Sequence, residues 1–240
     1  MIAPSADSEP TVFVALDLDR PSEAEAIAES LAGTGLGFKI GPRLMLRDGA
    51  RLVKAISAHG SVFVDCKHLD IPSTMEAAVR TSFEIGAAYT TIHALSGPEA
   101  LRRMAAVEAE LAKERPFRVL TVTVLTSFAS ETLPFRMRGE DVGDLVEGLA
   151  RDAYANGIRS FVCSPHEATR LKKIMPESFL VTPGIRPTGS AKGDQVRIET
   201  PSAARAAGAS ALVVGRPILE ASDRRAAALQ IAHEFNTARG

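Results

Sequence analysis

Cysteine is scarce in this chain of 240 residues: only Cys66 and Cys163 occur, with no Cys-x-x-Cys spacing and no His/Cys cluster. That pattern excludes a disulfide-stapled secreted module and a thiolate zinc site, and fits free thiols in a reducing compartment. An excess of either charge is missing too, since 28 Lys and Arg stand against 29 Asp and Glu, for a formal net charge of −1. Without a polyelectrolyte signature, neither nucleic acid nor an anionic membrane is expected as a main partner. No apolar run approaches the roughly eighteen residues needed to cross a bilayer. The first ten residues carry neither the basic nor the apolar region of a secretory signal. The expectation is a cytoplasmic protein with a flexible N-terminus over residues 1–10.

What is present is one large core's worth of apolar residues, 45% of the chain, with no linker or shift in composition to divide it. Short apolar runs recur at Val12–Leu16, Leu36–Ile40, Val62–Val64, Tyr89–Ala94, Arg118–Leu125, Phe161–Cys163, Phe179–Thr182 and Ala211–Val214. Helical patterns separate them, several opened by proline, as at Pro42, Pro72, Pro98 and Pro165. Ser22 and Glu25 read as a capping box for the first helix, and Ile218 to Phe235 as one closing helix. Eight strands alternating with helices predict a parallel sheet, closed as a single-domain (β/α)₈ TIM barrel over residues 11–240. A doubly wound sheet would place a Gly-rich turn after the first strand, where Leu16-Asp17-Leu18-Asp19-Arg20 stands instead.

Charge collects where these strands run out. Asp17 follows strand one, Lys39 ends strand two, and Asp65 and Lys67 end strand three. Thr126 and Ser127 follow strand five; Gly215 and Arg216 follow strand eight. Two residues apart on a strand, Asp65 and Lys67 share a face, and Asp70 lies beyond the strand end. A lone strand-end Asp is most often a helix cap or half of a surface ion pair of small energetic value. Four charges of alternating sign, Lys39, Asp65, Lys67 and Asp70, form a set that can survive inside a barrel mouth, because each neutralises another. The Gly-rich connection 183–193 with Gln195, beside Gly215-Arg216, has the composition of a phosphate site and a closing lid, against the plainer alternative of a mobile surface loop. Arg216 suits bidentate phosphate contact. His93 lacks a second ligand and reads as a core residue, and His68 points away from Lys67. A metal is not expected, since the lysines already neutralise the carboxylates.

Together these residues resemble the orotidine 5′-phosphate decarboxylase family. Asp65-x-Lys67-x-x-Asp70-Ile71-Pro72-x-Thr74 resembles its signature, although metal-dependent sugar-phosphate decarboxylases and synthases of the same superfamily share Asp-x-Lys-x-x-Asp. Ala15-Leu16-Asp17 and Phe38-Lys39-Ile40-Gly41 resemble its ribose-binding Asp and first catalytic Lys. Leu125-Thr126-Ser127 resembles its pyrimidine-contacting segment. Thr182 to Pro187, with Arg186, and Gly193-Asp194-Gln195 resemble its phosphate-closing loop, and Val214-Gly215-Arg216-Pro217-Ile218 its phosphate anchor. Cys66 stands where Leu or Met is usual and Ser73 where Asn is common; the Cys66 side chain is expected to face the helices.

The resemblance implies a homodimer in which Asp70, Ile71 and Thr74 complete the partner's site, with a small nucleotide as substrate and no cofactor. It implies decarboxylation of orotidine 5′-phosphate to uridine 5′-phosphate in pyrimidine synthesis. Lys39, Asp65, Lys67 and Asp70 would then be catalytic, with Lys67 donating a proton to C6. Asp17, Lys39, Ile71, Thr74, Thr126, Ser127, Arg186, Gln195, Gly215 and Arg216 would bind substrate.

Overall fold

The structure, a computed structural model, describes residues 9–187 and 199–238. Eight parallel strands, β1 (Val12–Ala15), β2 (Gly37–Ile40), β3 (Val62–His68), β4 (Tyr89–His93), β5 (Arg118–Val122), β6 (Ser160–Val162), β7 (Phe179–Thr182) and β8 (Ala211–Val214), pair in chain order. Pairing of β1 with β8 closes the barrel. The helices are α1 (Pro21–Ser30), α2 (Pro42–Ser57), α3 (Pro72–Glu84), α4 (Gly97–Leu111), α5 (Val142–Ala155), α6 (Pro165–Ile174), α7 (Pro201–Ala206), α8 (Arg216–Leu219) and α9 (Arg224–Thr237). The predicted TIM barrel is therefore the fold.

Two expectations about helix ends are corrected. Ser22 does not cap α1: Pro21 already occupies its first turn, the N-cap is Arg20, and no side chain bonds there. A capping box forms instead at Ser164, whose backbone N–H donates to Glu167 at the start of α6. The closing helix is also two helices. Asp223 accepts the Ala226 N–H and starts α9 afresh, so the short α8 stays separate at the barrel rim.

Strand alternation sorts side chains between two environments. Val12, Val14, Phe38, Ile40, Val62, Val64, Leu212 and Val214 point outward into a core shared with the helices. Phe13, Ala15, Phe63, Tyr89, Leu120, Val181, Ala211 and Val213 fill the inside. The inner aromatics form a floor: Phe13 meets Tyr89 edge-on at 4.9 Å and Phe63 at 5.4 Å, and Tyr89 stacks on Phe179 at 6.5 Å. Each such pair adds about 0.5–1.5 kcal/mol to the burial of the rings. Gly37 makes room for this floor, because a Cβ there would lie 2.5 Å from the Phe13 ring. Below it, Arg118 lies over Phe179 and pairs with Glu9 at 2.6 Å. One step further along β1, β2 and β3, the aromatics give way to charge.

Candidate active site

Lys39 follows Gly37 and Asp65 follows Phe63 on the inward face, which lifts both charged groups above the aromatic floor. Lys39 Nζ stands 3.0 Å from Asp17 Oδ1 and 3.4 Å from Asp65 Oδ2; Lys67 Nζ donates to Asp65 Oδ1 at 2.8 Å. The four groups make one chain, Asp17–Lys39–Asp65–Lys67. Its inner members are buried, whereas Asp17 and Lys67 reach the open end.

Burial is the largest single influence on Lys39, and it disfavours the ammonium. The carboxylates of Asp65 and Asp17, by charge and hydrogen bond, outweigh it and hold the Lys39 pKa above the ordinary lysine value. Asp65 mirrors this: burial opposes its ionisation, but Lys39, Lys67 and the Thr91 hydroxyl together keep its pKa below the usual carboxylate range. Alternating charge thus lets both groups stay ionised in a dry place.

Lys67 reaches its position by a different route from plain strand alternation. Val64 pairs with Thr90 and His68 with Ile92, so Asp65, Cys66 and Lys67 together face Thr91 alone. This is a β-bulge, and Lys67 sits at its crest with φ 50°, in the left-handed region that non-glycine residues rarely occupy. Its N–H donates to Thr91 Oγ1 at 2.8 Å. Cys66 packs with the outer core beside the helices, as expected, and burial pushes its thiol pKa up.

The charged chain lines a cavity of about 550 Å³ together with Arg43, Thr126, Ser127, Gly184, Arg186, Gly215 and Arg216. Thr126 and Ser127 lie on the loop beyond β5. Gly215 and Arg216 immediately follow β8. The Arg186 backbone N–H donates to Glu199 O and Glu199 N–H to Gly184 O, closing a small parallel bridge beside the cavity. Gln195, Gly193 and Asp194 lie outside the described residues.

Asp70, Ile71 and Thr74 do not line this cavity. All three are exposed, and the Asp70 carboxylate accepts the N–H of its own neighbour Ile71 at 2.7 Å. Hence the expected set of four splits: Lys39, Asp65 and Lys67 come together, with Asp17 as their outer member, and Asp70 stands apart. His93 is half-buried, and its Nδ1 accepts the Leu95 N–H; burial first, then the Lys67 charge, lowers its pKa. His68 is half-buried, and its Nε2 has no hydrogen-bond partner among the described residues.

Two site residues escaped the sequence reading. Arg43, in the first turn of α2, donates to the Asp17 carbonyl at 3.5 Å and lines the mouth. Thr91 is an ordinary strand residue by type; its only signal was a polar side chain on the inward parity shared with Tyr89.

A closed parallel barrel that gathers buried charge of both signs at the C-terminal ends of its strands has the layout of a TIM-barrel enzyme. The family model described as "Orotidine 5'-phosphate decarboxylase / HUMPS family" matches residues 10–231, and the chain belongs to that family. It is 47% identical over 232 residues to orotidine 5′-phosphate decarboxylase of Rhodopseudomonas palustris strain CGA009, covering 95% of each chain. It is 42% identical over 242 residues to the Halorhodospira halophila enzyme of the same name, covering 98% of this chain and 99% of that one. The crystal structure of orotidine 5′-phosphate decarboxylase from Lactobacillus acidophilus superposes with a TM-score of 0.82 at 32% identity, over 96% of this chain and all of the other.

Proposed function

We propose that this protein converts orotidine 5′-phosphate to uridine 5′-phosphate and CO₂, without a metal or organic cofactor, as a step of pyrimidine nucleotide synthesis. The observation that carries the reading is the Asp17–Lys39–Asp65–Lys67 chain at the cavity. Loss of CO₂ from C6 leaves an electron pair in the plane of the pyrimidine ring, where no ring carbonyl can delocalise it. Stabilisation must then come from a fixed positive charge beside that carbon. Lys67 is the reacting cation: it is the ammonium of the chain nearest the open end, and Asp65 holds it by a 2.8 Å hydrogen bond. An ammonium about 4 Å from a developing negative charge contributes ~4 kcal/mol at an effective dielectric of 20. The same group then gives C6 its proton.

The remaining residues divide the nucleotide between them. Lys39 and Asp17 offer a donor and an acceptor to the ribose hydroxyls, Thr126 and Ser127 face the pyrimidine, and Arg216, Arg186, Gly215 and Gln195 take the phosphate. Both Asp65 oxygens are engaged, one by Lys67 and Thr91 and the other by Lys39. That donor set supports charge stabilisation over metal ligation. Asp70, Ile71 and Thr74 act in the site of a second copy of the chain. Their exposure, together with that of the adjoining apolar Leu69, supports a homodimer that covers this segment.

The test follows loss of orotidine 5′-phosphate by ultraviolet absorbance, with and without EDTA, for the wild type and Lys67→Ala. Equal wild-type turnover in both buffers and none for Lys67→Ala, with uridine 5′-phosphate still bound, is expected. Turnover abolished by EDTA, or retained by Lys67→Ala, overturns the mechanism.

A further inference from the structure

We infer that Thr91 is a positioning residue for the reaction, its hydroxyl holding the Lys67 backbone and the Asp65 carboxylate at once so that the Lys67 ammonium is fixed at both ends. The inference rests on the reading of Lys67 as the reacting cation.

The geometry begins with the bulge. Three residues of β3 stand opposite the single residue Thr91, which draws Lys67 out of the regular register. The Lys67 N–H donates to Thr91 Oγ1 at 2.8 Å. A hydroxyl has one proton and two lone pairs. Because Oγ1 accepts from Lys67, its proton is left for Asp65 Oδ1, 3.1 Å away. The direction of both bonds is thereby settled. Asp65 Oδ1 in turn accepts from Lys67 Nζ at 2.8 Å, which closes a loop from the Lys67 backbone through Thr91 and Asp65 to the Lys67 side chain.

Three features make Thr91 suited to this task. The residue is fully buried. Its β-branched side chain is stiff at χ1, so Oγ1 holds its place with little loss of rotamer freedom. The backbone it supports is strained, since Lys67 is one of only two non-glycine residues with positive φ among those described. Its neighbour Thr90 faces the other way and donates to Ser82 of α3, so two adjacent threonines serve different layers of the fold. A Lys67 backbone free to relax would carry the ammonium off line, and small misplacements of a reacting group cost large factors in rate.

Thr91→Val keeps the shape and removes the hydroxyl; Thr91→Ser keeps the hydroxyl and removes a methyl. For Thr91→Val the expected kcat is about 10–100-fold lower, the loss that goes with one hydrogen bond to a charged group. The dissociation constant for uridine 5′-phosphate, read by calorimetry, stays within about threefold because the ligand contacts are intact. The acid limb of the kcat–pH profile moves to higher pH, because Asp65 loses a donor that favours its charged form. The other charges facing that network are Lys39 from β2 with Asp17 behind it, Lys67 from β3 and His93 from β4; His93→Gln identifies any limb that belongs to the imidazole. Thr91→Ser restores the pH profile and most of kcat. If Thr91→Val does not fold, Thr91→Ala takes its place with the same expectations.

A hydroxyl-free variant with wild-type kcat and pH profile overturns the inference. So does one whose kcat falls with the pH profile unmoved, or a Thr91→Ser as impaired as Thr91→Val. In each of those cases an inactive Lys67→Ala leaves the reading of Lys67 standing, whereas an active Lys67→Ala overturns that reading and this inference with it.

Discussion

Lys39 Nζ lies 3.4 Å from Asp65 Oδ2, a buried ion pair formed across β2 and β3 directly above an aromatic floor. Asp65 is the carboxylate shared by both lysines. Removing it leaves Lys39 only the exposed Asp17 and takes from Lys67 its 2.8 Å partner, and an under-compensated buried charge costs far more than the pair itself contributes.

Asp65→Asn should therefore be destabilised by about 3 kcal/mol at pH 7 and lose turnover by at least ~100-fold. Its pH dependence has a defined sign. The folded-state pKa of Asp65 is depressed, so its contribution is fully present above the ordinary carboxylate range and is lost as pH falls through the lower folded value. Chemical denaturation at a series of pH values should show wild-type and variant stabilities converging in acid, below about pH 4. A gap that persists there sinks the assignment.

Separately inactive Asp70→Ala and Lys67→Ala proteins should regain activity when unfolded together and refolded. In a mixed dimer one site receives Lys67 from one subunit and Asp70 from the other. Random pairing then restores about one quarter of wild-type activity per site. No recovery, with mixed dimers demonstrated by mass, means that Asp70 does not act across an interface.

Gly37→Ala should destabilise the barrel by about 1–3 kcal/mol, since the new methyl group would press 2.5 Å from the Phe13 ring. The midpoint of a urea transition should fall with an unchanged slope. Wild-type stability would mean that the floor repacks freely.

Glu108, on the inward side of α4, presents a different case. Burial pushes its carboxyl up to about 7, against the opposing pull of Arg118 and a backbone hydrogen bond from Val119. A carboxyl with a raised folded pKa binds more protons in the native state, so stability falls as pH climbs from about 4.5 to 7. Glu108→Gln should remove that slope and gain up to ~3 kcal/mol relative to wild type above pH 7. Parallel curves across this range would show that Glu108 ionises freely.

The strands were legible because buried parallel strands must be apolar on both faces, and the runs at Val12, Phe38, Val62 and Ala211 are. The charges at their ends stood out against that background for the same reason. Asp65 and Lys67 were placed on one face by simple alternation, and they do meet, but through a bulge that alternation does not contain. No residue type announces φ 50° at a lysine, and the hydroxyl that accepts its N–H lies 24 positions away in sequence. Thr91 was hidden because threonine is a common strand residue whatever its hydroxyl does. The break between α8 and α9 has a local cause in Asp223, a cap residue set between two stretches of helix formers. Longer-range pairing, rather than local propensity, separates what could be read from what could not.

The ring-packed floor made by Phe13, Phe63, Tyr89 and Phe179 fills the barrel beneath the charged chain and, among the described residues, leaves the cavity to open on the opposite side. Whatever nucleotide enters must leave by the way it came, so arrivals and departures cannot overlap. A ligand seated against Lys39 and Asp65 must therefore clear the mouth before the next can reach them.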